Sequence, residues 1–272
     1  MEFVSRYVSH QPDRHGMVNY SDEEHRIWQL LYERQMKILP GRACDEHMRG
    51  LDNLGLAPER IPQIPNVNDK LHSMTGWRVV PVAALISARE FFELLAKRCF
   101  PAATFIRCEE ELDYVQEPDI FHEIFGHCPM LTNPVYADFV HDYACKVLDF
   151  PEQQWALLQR LFWFTVEFGL IKTAHGLRAY GGGILSSISE TPYSIDSDIP
   201  MRVMFDPVVA FRTPYRIDML QKIYFVIEDY QQLYNFVHQD VATLMRRACE
   251  LGEYPPFFPV DKNNPSIHIR AC

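Results

Sequence analysis

The sequence predicts a mainly α-helical fold with a few short β-strands, and three observations carry that expectation. Two Ser-x-x-Glu capping boxes, opening at Ser21 and Ser87, each precede an apolar run of helical period. Several later stretches keep that period, whereas the β-prone runs are short and few. Apolar residues form 47% of the 272 and aromatics 13%, enough to build one substantial core.

Taken in order, "SDEEHRIWQLLYERQMKILPGR" starts at the Ser21–Glu24 box, carries an apolar stripe of Ile27, Leu30, Leu31 and Met36, and should end near Pro40-Gly41. Residues 62–76 are turn-rich and read as irregular at their start, wrapping the surface because apolar sequence flanks them on both sides. "WRVVPVAALI" reads as a strand, "SAREFFELLAKR" as the helix after it, and "PAATFIRC" as a second strand leading to an acidic loop with Tyr114, Glu117 and Pro118. Further helices are expected at about 135–148, 152–172, 217–237 and 239–250. The tail "PPFFPVDKNNPSIHI" reads as extended, with a turn at Asn263-Asn264-Pro265. There is no internal repeat, and residues 1–272 read as one domain on which residues 1–60 pack as a helical extension.

A formal charge of −10 leaves no basic stripe to neutralise phosphates, which argues against nucleic acid or an anionic membrane as partner and for a small solute. No export signal or membrane-spanning run stands out, so a cytoplasmic protein is expected. Seven cysteines without a CxxC pair read as reduced packing residues, not disulfides or a thiolate zinc site.

The chemistry is concentrated in "PDIFHEIFGHCPML", residues 118–131. Residues four apart lie about 40° from each other around an α-helix but residues five apart about 140°, so an undistorted helix aims His122 and His127 at different places. Gly126 can leave helical geometry and Pro129 disfavours the α conformation at Cys128, so the helix should end or deform around His127 and let both rings converge. In "LFWFTVEFGLIK", Glu167 has Trp163, Phe164, Leu170 and Ile171 as same-face helical neighbours and no Lys or Arg in the turn before it. A carboxylate so placed needs a cation, strong donors or a proton. A metal shared with the histidines supplies the cation; the other reading is an ion pair with Arg107 or Arg160.

Two imidazoles and one carboxylate leave open positions on Fe(II) for oxygen and substrate, and zinc accepts the same ligands. HExxxH is one residue longer than the zinc-peptidase HExxH, so a hydrolase with Glu123 as base and Glu167 as third ligand stays open. A non-catalytic helical protein with structural histidines is the third reading. Trp163, Phe164 and Phe168 read mostly as core, yet beside a metal they also suit a flat apolar substrate. "AYGGGILSSISE" lacks the order of a phosphate-binding loop; its glycines read as points of close backbone approach, with Ser186 or Ser187 able to orient a ligand.

In their order, "VPVAALISAREFFELLAKRCF", "FIR", "PDIFHEIFGHCPML", "FWFTVEFGL" with Glu167 40 residues after His127, and "AYGGGILSS" resemble the pterin-dependent aromatic amino acid hydroxylases. The similarity covers about residues 60–260, their catalytic domain, and is greatest to the short bacterial members that act on phenylalanine. The resemblance implies that catalytic-domain fold without a regulatory or tetramerisation domain, and a monomer or homodimer. It implies non-haem Fe(II) on His122, His127 and Glu167, with tetrahydrobiopterin or a related reduced pterin as cofactor and O₂ as co-substrate. The reaction implied is hydroxylation of L-phenylalanine to L-tyrosine, with tryptophan or tyrosine as the alternative substrate.

By position, Ala84, Ile86 and Ala88 would face the pterin edge, Phe91 would stack on it, and Glu123 would contact it through water. Arg107 would clamp the amino acid carboxylate with its planar fork. Trp163 and Phe168 would shape the aromatic pocket, Gly183 and Ser186 would line it, and Ser186 would also steady His122. Val115 and Gln116 stand where the animal enzymes have Thr-Pro, and Phe162 where a tyrosine stands near the iron. The contact to the substrate amino group and that tyrosine's hydroxyl are therefore not carried over.

Overall fold

The computed structural model describes residues 7–83 and 86–259, so the expected turn at Asn263-Asn264-Pro265 and the pterin residue Ala84 lie outside the described residues. Helix α1 (Asp22–Ile38) opens on the predicted box, with Ser21 and Glu24 each capping the other's backbone. Its buried face is Ile27, Trp28, Leu31 and Gln35, with Leu30 and Met36 only half-buried beside it. Helices α2 (Asp45–Leu54) and α3 (Ile64–Thr75) follow. The turn-rich segment is thus largely helical: Pro65 sits in the first turn, where a missing N–H costs nothing.

Strand β1 (Arg78–Val82), helix α4 (Ala88–Leu95) and strand β2 (Cys99–Ala103) make a parallel pair joined by a crossover helix. Ser87 caps α4 by accepting the Glu90 amide at 3.1 Å. Helix α5 (Pro134–Leu148) matches its expectation, and α6 (Trp155–Phe162) starts inside the expected 152–172. The α-helix stops early, because Gly169 packs against Tyr180 where no Cβ would fit and the chain turns into strand β3 (Leu170–Thr173). Leu170 and Ile171 are therefore strand residues, not helical neighbours of Glu167.

Strand β4 (Gly176–Ala179), helices α7 (Gly182–Leu185) and α8 (Glu190–Asp196), strand β5 (Met201–Met204), helix α9 (Pro207–Arg212) and strand β6 (Ile223–Ile227) complete a sheet ordered β4-β3-β6-β5. The helix expected at 217–237 divides here. Ile-Tyr-Phe-Val-Ile is β6, all five residues buried, and Asp229 caps α10 (Tyr230–Val237) before α11 (Val241–Leu251). One hydrophobic cluster runs from Val18 to Ala248. Trp28 and Tyr32 of α1 pack edge-on against Phe121 and Phe125, both at 5.3 Å between centroids, and so back the histidine motif.

Candidate metal centre

Residues Phe121–His127 form a π-helical turn in which the Cys128 amide bonds back five residues to the Glu123 carbonyl at 3.3 Å. A turn closed by i→i+5 bonds stacks residues five apart on one face. The deformation expected around His127 is thus a whole widened turn. His122 Nε2 and His127 Nε2 come within 3.1 Å. A second π-turn, Trp163–Glu167, extends α6, with the Phe168 amide bonded to the Trp163 carbonyl at 2.9 Å. It delivers Glu167 Oε2 to 3.2 Å from His127 Nε2 and 3.6 Å from His122 Nε2.

The glycine triplet lets these turns meet. A Cβ on Gly182 would lie 2.6 Å from His127 Nε2, and one on Gly181 2.6 Å from the Glu167 carbonyl carbon. Arg107 and Arg160 are committed elsewhere, Arg107 to Asp119 and Arg160 to Glu253 and the Phe211 carbonyl. Neither arginine therefore supplies the cation that Glu167 needs, and a metal ion shared with the two imidazoles would.

Hydrogen bonding orients the His122 ring. Ser186 Oγ donates to the Gly182 carbonyl at 2.8 Å, so it accepts from His122 Nδ1 at 2.9 Å. That tautomer leaves a lone pair on His122 Nε2, facing Glu167 and His127. His127 is held by packing instead: it is buried, its Nδ1 has no partner among the described residues, and its ring lies against Phe100 at 5.1 Å.

Burial, then the neighbouring His127, pulls the His122 pKa down to about 4, which favours the neutral imidazole. Burial opposes ionisation of Glu167, but the two histidines outweigh it and hold the carboxyl below its ordinary value. Glu123 goes the other way: burial, then Glu167 and Asp119, pushes it well above the carboxylate range. Ligand atoms of His122, Glu123 and His127 also lie within 4.8 Å of one another, so Glu123 competes for the third position. Its preference for a proton and the shorter approaches of Glu167 favour Glu167. Donors about 2.1 Å from one ion at right angles would stand roughly 3 Å apart. The separations of 3.1, 3.2 and 3.6 Å fit a single metal ion.

A cleft of about 320 Å³ opens beside His122 and Glu167 and is lined by all five expected substrate residues, Arg107, Trp163, Phe168, Gly183 and Ser186. Trp163 and Phe168 lie 4.5 Å apart between centroids, and Trp163 donates to Gln221 Oε1 at 3.1 Å. Arg107 is buried and spends Nε and one terminal nitrogen on Asp119, at 2.7 and 2.9 Å. The pterin residues fall elsewhere. Glu123 is beside the histidines, but Ile86, Ala88 and Phe91 do not line this cleft; Phe91 packs edge-on to Phe162 at 5.4 Å.

Three acids were missed at the level of sequence. Asp119 pairs with Arg107 and caps the turn by accepting the His122 amide at 3.0 Å; an Asp three residues before a helical residue is a readable cap. Glu117 lines the cleft 4% exposed, and its Oε2 has no hydrogen-bond partner among the described residues. Glu190 accepts from Tyr224 and from the Gln221 amide. The burial of Glu117 and Glu190 depends on distant elements and has no local signal.

The sequence matches the family described as biopterin-dependent aromatic amino acid hydroxylase over residues 4–258. Phenylalanine-4-hydroxylase of Pseudomonas aeruginosa is 52% identical over 256 residues, spanning 94% of this chain and 97% of that protein. The solved structure of phenylalanine hydroxylase from Legionella pneumophila is similar at a TM-score of 0.92 and 71% identity, covering 93% of this chain and 100% of that one. That from Chromobacterium violaceum with bound oxidised Fe(III) has a TM-score of 0.85 at 42% identity, over 93% and 94% of the two chains.

Proposed function

Because this chain belongs to the biopterin-dependent aromatic amino acid hydroxylases, we infer that it hydroxylates L-phenylalanine to L-tyrosine with O₂ and a reduced pterin, at iron held by His122, His127 and Glu167. The observation that carries the ligand assignment is the meeting of those three donors at the end of a cleft holding a buried arginine and an aromatic wall. When bound, iron and pterin together supply the activation of dioxygen. The residues of the chain bind, orient and exclude water.

Arg107 offers the substrate carboxylate its uncommitted terminal nitrogen, while Asp119 fixes the fork. This is narrower than a free bidentate clamp. Glu117, with a buried carboxyl oxygen that has no partner among the described residues and faces the same cleft, is the acid available to the substrate ammonium where Val115 and Gln116 replace the Thr-Pro pair. Trp163 and Phe168 hold the ring, Gly183 leaves it room, and Ser186 keeps the His122 lone pair on the metal side. Glu123, whose carboxyl burial and the nearby Glu167 and Asp119 push above the carboxylate range, contacts the pterin through water, with Ala84, Ile86, Ala88 and Phe91 as the remaining pterin contacts.

The reading is of a cytoplasmic enzyme, monomeric or homodimeric, with residues 1–60 packed on one catalytic domain. Among the described residues no helix is long and apolar enough to cross a membrane. Incubating iron-loaded protein with a tetrahydropterin, O₂ and phenylalanine, tryptophan or tyrosine tests it. Tyrosine formed from phenylalanine supports the reading; zinc-dependent peptidase activity indifferent to pterin overturns it.

A further inference from the structure

The first π-turn leaves one backbone group without its normal partner. In an α-helix the Phe125 carbonyl would accept the amide of residue 129, a proline without one, and in the i→i+5 pattern that of Met130, yet among the described residues no backbone amide reaches it. The neighbouring amides are committed elsewhere: Cys128 to Glu123, Leu131 to Cys128 and Thr132 to Pro129. The carbonyl is met from another element, by His47 Nε2 of α2 at 2.9 Å. A carbonyl only accepts, so Nε2 carries the proton.

His47 is fully buried, and its ring stands edge-on to Phe125 at 5.7 Å between centroids. One turn along the same helix Gly50 lies against Pro129, where a Cβ would fall 2.7 Å from the proline Cα. Helix α2 thus grips the chain two residues before His127 and two residues after it. Among the described residues His127 has no hydrogen bond at Nδ1, so its ring goes where this backbone and its packing put it.

We propose that His47 is a positioning residue for the metal centre: its N–H satisfies the Phe125 carbonyl, which no backbone amide among the described residues reaches, and so holds the widened turn that brings His127 over His122. The proposal rests on the ligand reading above, but the turn it explains is visible without any metal. A bare buried carbonyl would favour a different bonding pattern at Phe125–Cys128 and a displaced imidazole.

Two variants of equal side-chain length separate the donor from mere filling. His47→Gln keeps an N–H at the reach of Nε2, and His47→Met removes it. In the full-length, metal-free protein, exchange of the Cys128 amide reports the bond back to Glu123, and Co(II) absorption reports ligand geometry. His47→Gln should match wild type in both. His47→Met should exchange Cys128 about tenfold faster and bind Co(II) about 10- to 100-fold more weakly, with its far-ultraviolet circular dichroism unchanged.

A His47→Met protein equal to wild type in both readouts overturns the proposal, as does a His47→Gln protein as impaired as His47→Met. Should His47→Met fail to fold, His47→Gln decides alone, wild-type affinity supporting the role and a tenfold loss ending it. A wild-type protein that protects Cys128 yet binds no Co(II) overturns the ligand reading instead, and exchange then judges His47 by itself.

Discussion

Replacing Gly182 by alanine perturbs the metal centre without touching a ligand. The added methyl would lie 2.6 Å from His127 Nε2 and closer still to Cε1 and Nδ1 of the ring, roughly 1 Å inside ordinary carbon contact. The imidazole cannot simply step back, because it is 2% exposed and Phe100 lies against it at 5.1 Å. Either α7 or the ring must shift by a large part of that 1 Å, several times the roughly 0.2 Å that metal–ligand distances tolerate. Misplacement of about 1 Å costs on the order of 100-fold in rate, equivalent to about 2.7 kcal/mol. The assay is iron content after dialysis together with kcat, with thermal unfolding of the metal-free protein to show that the fold survives. Gly182→Ala should retain less iron and turn over about 100-fold more slowly while still folded. Iron content and kcat within twofold of wild type would refute the packing argument.

Three further outcomes are expected. Glu167→Ala should lose iron while Glu123→Gln keeps it and changes only the pterin requirement; metal analysis of both proteins checks the choice between the two acids. Asp119→Asn strands the buried Arg107 charge and should cost about 3–5 kcal/mol in urea unfolding. Burial works against ionisation of Asp119 but Arg107 overrides it, so the pair's contribution is present at neutral pH and lost as pH falls from the ordinary value of 3.8 through the depressed one. Glu190 behaves oppositely, since burial pushes its pKa from 4.5 up to about 7. The unfolded chain then releases this proton first, and stability should fall by roughly 3 kcal/mol as pH rises across that interval. Glu190→Gln should flatten the fall, as followed by urea midpoints at several pH values.

What could be read from the residues was what neighbours in the chain decide. Ser21 with Glu24 announced α1 because both halves of its box lie within one turn, whereas Asp229, an equally local cap for α10, was passed over inside the helix expected at 217–237. Ile-Tyr-Phe-Val-Ile was taken for helix because a short run buried on all sides carries no period of its own; pairing with β3 and β5 makes it a strand. The apolar surroundings of Glu167 raised the question of its partner, and the five-residue spacing of His122 and His127 did signal a distorted helix. Its form, two π-turns meeting across a glycine triplet, depends on contacts among segments far apart in sequence. So does the pairing of Arg107 with Asp119, which took away a candidate partner for Glu167 and half of the fork expected to hold the substrate.

The most direct test is an anomalous difference map collected at the iron edge from crystals of the Fe(II)-loaded chain. One peak per chain, bonded by His122 Nε2, His127 Nε2 and a Glu167 carboxylate oxygen, is the predicted result. A peak bonded by Glu123 in place of Glu167, or iron located anywhere else, would contradict it.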